Sequence, residues 1–309
     1  MTEADQNAID QIEADRKRRE RELLWLLILL VDDSRVHAQH AVRLGVDPVV
    51  AARNVILGAG YIDQPGGVGG MVETMVDAYT DGVTRTIRMA GLPVSGFTFA
   101  PEAGIGAGAL PGVTAPNAIV PGAGDLPASQ VIDLAAARRA YESYAAQATQ
   151  NLYRQIAQRI VQALQSEYGA DVNARVRAIR DEMAKGGYTR LNPSALERMA
   201  ETAVIKAYQD GYGDGFSIPN IRVKLKGFRY IAIIDKGTTD ICRAYNGVQL
   251  PWDHIWWKSH APSNHWGCRS TYRPIWRDFE PTTLIPSIEP EPGWGNAAIS
   301  PLMPYEAVA

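Results

Sequence analysis

Cysteine is nearly absent from this chain: 309 residues hold two, Cys242 and Cys268. That excludes a scaffold stapled by several disulfides, and it fits a protein assembled in a reducing cytoplasm. Long apolar runs are missing as well. The longest candidate, Leu23 to Val31, covers nine residues between Arg21–Glu22 and Asp32–Asp33. A membrane-spanning helix needs about 20, so no span is expected, and the run reads as a buried helix segment or a surface for another subunit. An excess of one charge is also lacking. Net charge is −3 and the pI is near 6.0, which gives no global pull toward nucleic acid or anionic lipid. Residues 1–15 are polar and acidic, without the charge-then-apolar order of a secretory signal. No P-loop, G-x-S-x-G or strand-to-helix G-x-G-x-x-G occurs, and the string Gly104 to Gly108 follows no strand.

What is present divides the chain into stretches of different character. Hydrophobic residues make up 46% of it, enough to build a core over most of its length. Residues 8–57 read as helix, Gly58 to Gly70 as a loop and Met71 to Met89 as a second helix. Between Gly91 and Ala128 stand eight glycines and six prolines, with no lysine or arginine. Proline removes donors and glycine adds chain entropy, so this stretch reads as an arm or linker. It could drape over another subunit or be a simple disordered insertion.

Helical periodicity returns after Pro127. Leu152, Ile156, Ile160 and Leu164 step by four, and Gly169 ends the run. Asp171 is placed to cap a helix bearing Val172, Val176, Ile179 and Met183, closed by Gly186–Gly187. Asn192–Pro193 reads as a cap and first turn for a helix burying Leu196, Met199, Ala203 and Ala207; Gly211, Gly213 and Gly215 are expected to end it near Tyr208. The period then changes to two at Ile221, Val223 and Leu225, predicting a strand, followed by strands at Phe228 to Ile234, Val248 to Leu250 and Arg269 to Ile275. The expected fold is α+β: a mainly helical N-terminal body with a long Gly/Pro arm, then a small C-terminal α+β module with a Cys/His-bearing turn. The regions are a helical N-terminal region (1–90), the arm (91–128), a helical body (129–216), the module (217–278) and a Pro-rich tail (279–309).

Chemistry-bearing residues crowd into Asp235 to Arg269. Both cysteines, His254, His260 and His265, and Trp252, Trp256, Trp257 and Trp266 fall there. His265 and Cys268 form an H-x-x-C pair, a spacing that lets both reach one tetrahedral metal, with Cys242 as a third ligand. A structural zinc wants a fourth. Asp235, Asp240 or His260 would have to supply it, because Thr239 stands three residues before Cys242 where a second cysteine would complete a C-x-x-C. Two alternatives stay open, a Cys242–Cys268 disulfide and buried free thiols.

The string Asp235-Lys236-Gly237-Thr238-Thr239-Asp240-Ile241-Cys242, with Gly247, His265, Cys268, Arg269 and Pro274, resembles the phage Mu F-like head morphogenesis family. On its helix, Glu201-Thr202-Ala203 resembles the family's Glu-Thr helix, so the likeness covers roughly residues 195–276. Asp235, Thr238, Cys242, Gly247, His265, Cys268 and Arg269 fall on the motif's positions; Thr239 departs from relatives that carry cysteine there. The resemblance implies a non-enzymatic minor structural protein of a tailed-phage head. It would be assembled in the host cytoplasm and held inside the virion head near the portal. Its implied partners are portal, scaffold or major capsid protein, and packaged DNA.

A nuclease is the competing reading. Asp253-His254 and Asn264-His265 superficially resemble an HNH core, in which His254 would act as general base and His265 would hold a divalent metal. The gap between them is short for such a site, and Ile255-Trp256-Trp257 within it is apolar. Between Tyr153 and Arg190 seven basic residues face four acidic ones, a mild excess that could touch DNA or be a solvated helix face.

Overall fold

The computed structural model describes residues 3–57, 68–100, 131–190, 192–265 and 267–291. Most of the expected glycine loop (58–67), the middle of the arm (101–130, with Gly104 to Gly108), Trp266 and the tail beyond residue 291 lie outside the described residues. The architecture is mainly helical with a small three-stranded antiparallel sheet toward the C-terminus, as the sequence predicts. The chain divides into two compact units, Met1–Met75 with Tyr141–Ile205 and Val76–Ala140 with Lys206–Ala309.

In the first unit, α1 spans Glu3–Leu44 and α2 spans Pro48–Ile56. The single helix expected over 8–57 is therefore broken. The Asp47 carboxylate accepts from the Val49 and Val50 N–H groups at 2.8 and 3.3 Å, with Pro48 in the first turn of α2. Proline in a helix interior would remove a hydrogen bond, whereas at the first position that donor is orphaned anyway. The nine-residue apolar run is mostly core. Leu23, Leu27, Ile28, Leu30 and Val31 are buried, while Trp25 faces outward beneath the Arg190 guanidinium, 5.0 Å from its ring centre.

The helix α4 spans Leu134–Ser166 and buries Leu152, Ile156 and Ile160, with Leu164 only half-buried. Next, α5 spans Val172–Lys185 and starts where expected: Asp171 Oδ1 accepts from the Asn173 and Ala174 N–H groups at 2.7 and 3.0 Å. Those two bonds hold the Asp171 carboxyl below its ordinary range. A carboxylate with a depressed folded pKa contributes stability above its unfolded pKa of about 3.9 and loses it as pH falls through the folded value. Asp171→Ala should therefore lower Tm by a few degrees at pH 7, and the gap from the parent should shrink when both are melted in strong acid.

The helix α6 spans Ser194–Gly215 and departs from expectation at both ends. Asn192 does not cap it; its side-chain amide donates to the Ala184 carbonyl at 2.8 Å while its backbone pairs with Thr189. At the other end the helix runs past Gly211 and Gly213 and stops at Gly215, the last of the three glycines expected to end it. Gly211 lies inside the helix because another backbone needs the space. In the second unit, a Cβ on Gly211 would stand 1.9 Å from the Tyr79 carbonyl oxygen, and one on Gly82 would stand 2.2 Å from the Tyr208 carbonyl oxygen. Tyr79 and Gly82 belong to α3, Val68–Met89, so two helices meet backbone to backbone at facing glycines. Polar groups lock the contact: Tyr79 donates to Asp214 at 3.0 Å and Thr86 to the Tyr212 carbonyl at 2.7 Å.

The arm begins and ends in a pair of parallel strands, β1 (Thr98–Ala100) and β2 (Val131–Asp133), with Phe99 opposite Ile132. So residues 98–100, read from composition as irregular, find a partner at the arm's far end. The strand expected at Ile221 to Leu225 is instead a short helix, α7 (Pro219–Arg222), with Val223 exposed and Ile221 and Leu225 buried. Alternation alone cannot tell a strand from a turn of helix when proline opens it.

The sheet runs β4-β3-β5, with β3 Gly227–Ile231, β4 Gln249–Pro251 and β5 Thr271–Ile275. Phe228 pairs with Leu250 on one side and Pro274 on the other. Rings continue from Tyr212 and Phe216 of the α6 end through Phe228, Tyr272 and Trp257 to Trp256, Tyr245 and Tyr230, with neighbouring centres 4.8–6.2 Å apart. Such pairs add roughly 0.5–1.5 kcal/mol each beyond the area they bury. The tryptophans Trp256 and Trp257 are thus core.

Candidate metal centre in the Cys/His turn

Three elements bring the site together. The strand β3 delivers Tyr230, and the chain then turns through Asp235 to Thr239 into α8, Asp240–Tyr245. Thr238 builds that turn: its hydroxyl accepts from the Asp235 N–H at 2.7 Å and donates to the Ile233 carbonyl at 2.6 Å. Thr239, the position lacking the second cysteine, caps α8 by accepting from the Cys242 N–H. Its hydroxyl therefore serves the helix that presents Cys242. After α9 (Trp257–His260) the chain reaches Asn264 and His265, and Gly267, with φ +64°, turns it so that Cys268 follows. Gly247, with φ +91°, makes the corresponding turn from α8 into β4.

Cys242, His265 and Cys268 are all buried, and their ligand atoms lie within 4.8 Å of one another. His265 Nε2 is 3.0 Å from Cys242 Sγ, and the two sulfurs are 3.8 Å apart. A disulfide would need about 2.05 Å. Two thiolates bound tetrahedrally to zinc at about 2.3 Å would be spaced by about 3.8 Å, as these sulfurs are, whereas His265 Nε2 is hydrogen-bonded directly to Cys242 Sγ and would move out to about 3.5 Å to share a metal with it. The Cys242 thiol is held well below its ordinary range, chiefly by the bond from Cys268 and then by His265, Ser270 and Tyr230. The same bond, with burial, pushes Cys268 up. A thiol held low is the direction that suits a metal ligand, which binds as the thiolate.

A polar shell backs the trio. Asn264 Nδ2 donates to the Tyr230 hydroxyl at 2.9 Å and to the His260 carbonyl at 3.1 Å, and the Tyr230 hydroxyl lies 3.6 Å from Cys242 Sγ. Asn264 Oδ1 is buried without a hydrogen-bond partner among the described residues. A buried orphan acceptor is costly, and a water or ligand beside the site would satisfy it.

None of the suggested fourth ligands joins the trio. Asp235 Oδ1 accepts from Arg269 at 2.7 Å and from the Gly237 N–H at 2.8 Å. The Arg269 bond is the main reason that carboxyl sits far below the ordinary range. His260 stacks on Trp256, ring centres 4.7 Å apart, with Nε2 3.4 Å from Glu289. Asp240 is exposed at the start of α8. The motif residues Asp235 and Arg269 thus pin the turn and do not join the trio. Arg269→Gln should bring the Asp235 titration back up toward about 3.9. Carboxyl carbon NMR across an acid titration reads this directly; an unmoved Asp235 would show that the Arg269 bond is not its cause.

The nuclease quartet is not gathered in this way. His254 Nδ1 accepts from the Trp256 N–H at 3.2 Å, Asn264 serves Tyr230 and His260, and His265 meets Cys242. Among the described residues, Asp253 and His254 belong to no group of three side chains that could hold a metal.

Sequence reasoning missed the strap over this site. Thr282 and Gln249 exchange hydrogen bonds at 2.8 and 2.9 Å, Tyr245 donates to the Ile288 carbonyl at 2.6 Å, and the Glu291 N–H donates to the Asn264 carbonyl at 3.0 Å. Residues 282–291 therefore run from β4 to the residue preceding His265. Their prolines predicted irregular backbone but carried no signal for where it docks.

The model of the family described as Phage Mu protein F like protein matches residues 151–273. No curated protein and no solved structure matches the chain. The match starts earlier than the likeness read from motifs near residue 195, taking in the second part of α4 and all of α5. No helix among the described residues is long and apolar enough to cross a membrane. From the Leu152 stripe of α4 into β5, and including the buried Cys/His trio, residues 151–273 are thus the part of the chain that is similar to the phage Mu F-like family.

Proposed function

We propose that this chain is a minor structural protein of a tailed-phage head that acts in prohead morphogenesis by binding portal, scaffold or major capsid protein, and not by catalysis. It is placed inside the head near the portal after assembly in the host cytoplasm. The observation that carries the reading is the Mu F-like match over residues 151–273, which closes on the Cys/His turn. The chemistry fits a scaffold. Its perturbed thiol pair is buried behind Tyr230, Asn264 and the 282–291 strap, and is not presented in an open cleft.

Within that reading, Cys242, His265 and Cys268 hold a structural zinc. Two sulfurs, one imidazole and the nearby orphan acceptor of Asn264 suit it. The metal would supply cross-linking of α8 to the 265–268 turn. Co-expression with the portal protein encoded by the same phage tests the binding role. The expected result is co-sedimentation at a fixed ratio; a chain that stays at the top of the gradient with portal, scaffold and capsid protein alike would overturn it.

A further inference from the structure

The outer face of α1 is not the polar surface that a helix packed only inward would show. With 3.6 residues per turn, Glu22, Trp25, Leu29, Val36, His40 and Arg43 fall on one narrow stripe, and all six are exposed. That stripe lies opposite the side that buries Leu23, Leu27, Leu30 and Ala38 in the first unit. Its middle is apolar: Trp25 is 50%, Leu29 41% and Val36 48% exposed. The Arg190 guanidinium rests over the Trp25 ring and still leaves half of that side chain open. Apolar residues scattered over a surface are ordinary, but a line of them between two opposite charges is a pattern.

The charges give the stripe a direction. It is complementary to its own reverse about a point between Asp32 and Asp33. In an antiparallel pair of α1 helices related by a two-fold axis at that point, Leu29 falls opposite Val36 of the second copy. Trp25 falls opposite His40, and Glu22 opposite Arg43. The symmetry repeats each of these contacts, so an apolar centre is closed at both ends by a pair of opposite charges. Glu22 lies 3.2 Å from Arg19 of its own helix, an exposed pair worth little in water and easily shared. Asp32 and Asp33 flank the axis and are engaged within their own chain. Asp32 Oδ1 accepts from Arg35 at 2.6 and 3.1 Å, and Asp33 lies 3.2 Å from His37. A parallel, in-register pair would instead set Glu22 on Glu22, Asp32 on Asp32 and Arg43 on Arg43.

We infer that the outer face of α1 is a docking surface for a second copy of this chain, with the two helices antiparallel about Asp32–Asp33. This goes beyond the proposed head function and does not depend on it, because α1 lies outside the residues matched to the family. The apolar middle supplies association, and the charged ends set orientation and register.

The test is sedimentation velocity of the full chain over a concentration series. The parent should pass from monomer to dimer as concentration rises, and Leu29→Asp/Val36→Asp should stay monomeric. Glu22→Arg alone, or Arg43→Glu alone, places like charges together at both ends and should weaken association about tenfold. The double reversal Glu22→Arg/Arg43→Glu rebuilds both pairs in the opposite sense and should restore association close to that of the parent. Circular dichroism of each variant checks that the helices persist. If the aspartate variant loses them, the charge reversals decide, since they alter exposed side chains only. A parent that is monomeric at every concentration would overturn the inference and leave the face to another segment of the chain or another protein. A dimer untouched by Leu29→Asp/Val36→Asp would overturn it by placing the interface elsewhere. A double reversal no better than the single ones would overturn the antiparallel register.

Discussion

Gly211→Ala should destabilise the protein on the order of 3 kcal/mol, although alanine is the better helix former. The two effects have opposite signs, which makes the experiment decisive. In a helix interior, replacing glycine by alanine gains about 1 kcal/mol when only propensity acts. Gly211 lies inside α6, yet its Cβ would stand 1.9 Å from the Tyr79 carbonyl oxygen and 2.7 Å from that residue's carbonyl carbon. Backbone on a packed helix cannot swing aside as a side chain can, so α3 and α6 must part. Separation would strain the Tyr79–Asp214 and Thr86–Tyr212 bonds as well. Gly82→Ala meets the Tyr208 carbonyl from the other side and should behave alike. Gly237→Ala is the control, because its nearest atoms are at 3.4 and 3.5 Å and both are side-chain ends. Urea melts of the three variants check this. A Gly211→Ala protein as stable as its parent would mean the helices do not meet at these glycines.

Cys242→Ser and Cys268→Ser are expected to lose one bound zinc per chain and to melt well below the parent. Structural zinc contributes apparent folding free energies of about 10–16 kcal/mol in small zinc-finger peptides. This module also has an aromatic core, from Phe228 and Tyr272 to Trp256, so only part of that scale should appear. Without a metal, a hydroxyl in place of a buried thiol would cost about 1–3 kcal/mol. A chelator distinguishes the two accounts: it should lower the Tm of the metal-bearing parent and leave both serine variants unmoved. Unchanged melting in both variants would remove the role assigned to the turn.

Much of this fold is written locally. Asp171 caps α5 because a short carboxylate next to a helical pattern has two orphan N–H groups within reach, and the sequence shows that pattern openly. The H-x-x-C pair and Cys242 were readable as one cluster because a tight turn fixes two of the three ligands. Asp47–Pro48 carried an equally plain start signal for α2, outweighed by continuous apolar periodicity on either side. What stayed hidden depends on contacts distant in sequence. Glycine ends helices in isolation, so Gly211 read as a terminator, and only the facing Tyr79 explains it. Strand β1 needs β2, across the arm, before Thr98 to Ala100 can pair. The strap needs Gln249, Tyr245 and Asn264 already in place. The motif likeness was carried by the turn's polar residues, whereas the helices from residue 151 have only apolar spacing to offer, which many unrelated helices share.

The head assignment is tested most directly by quantitative mass spectrometry of purified proheads and mature particles from the source phage, counting this chain against portal subunits. The account predicts a low and fixed number of copies per portal in both. Its absence from both particle types would contradict the account, leaving the Mu F-like segment re-used in a protein that does not build heads.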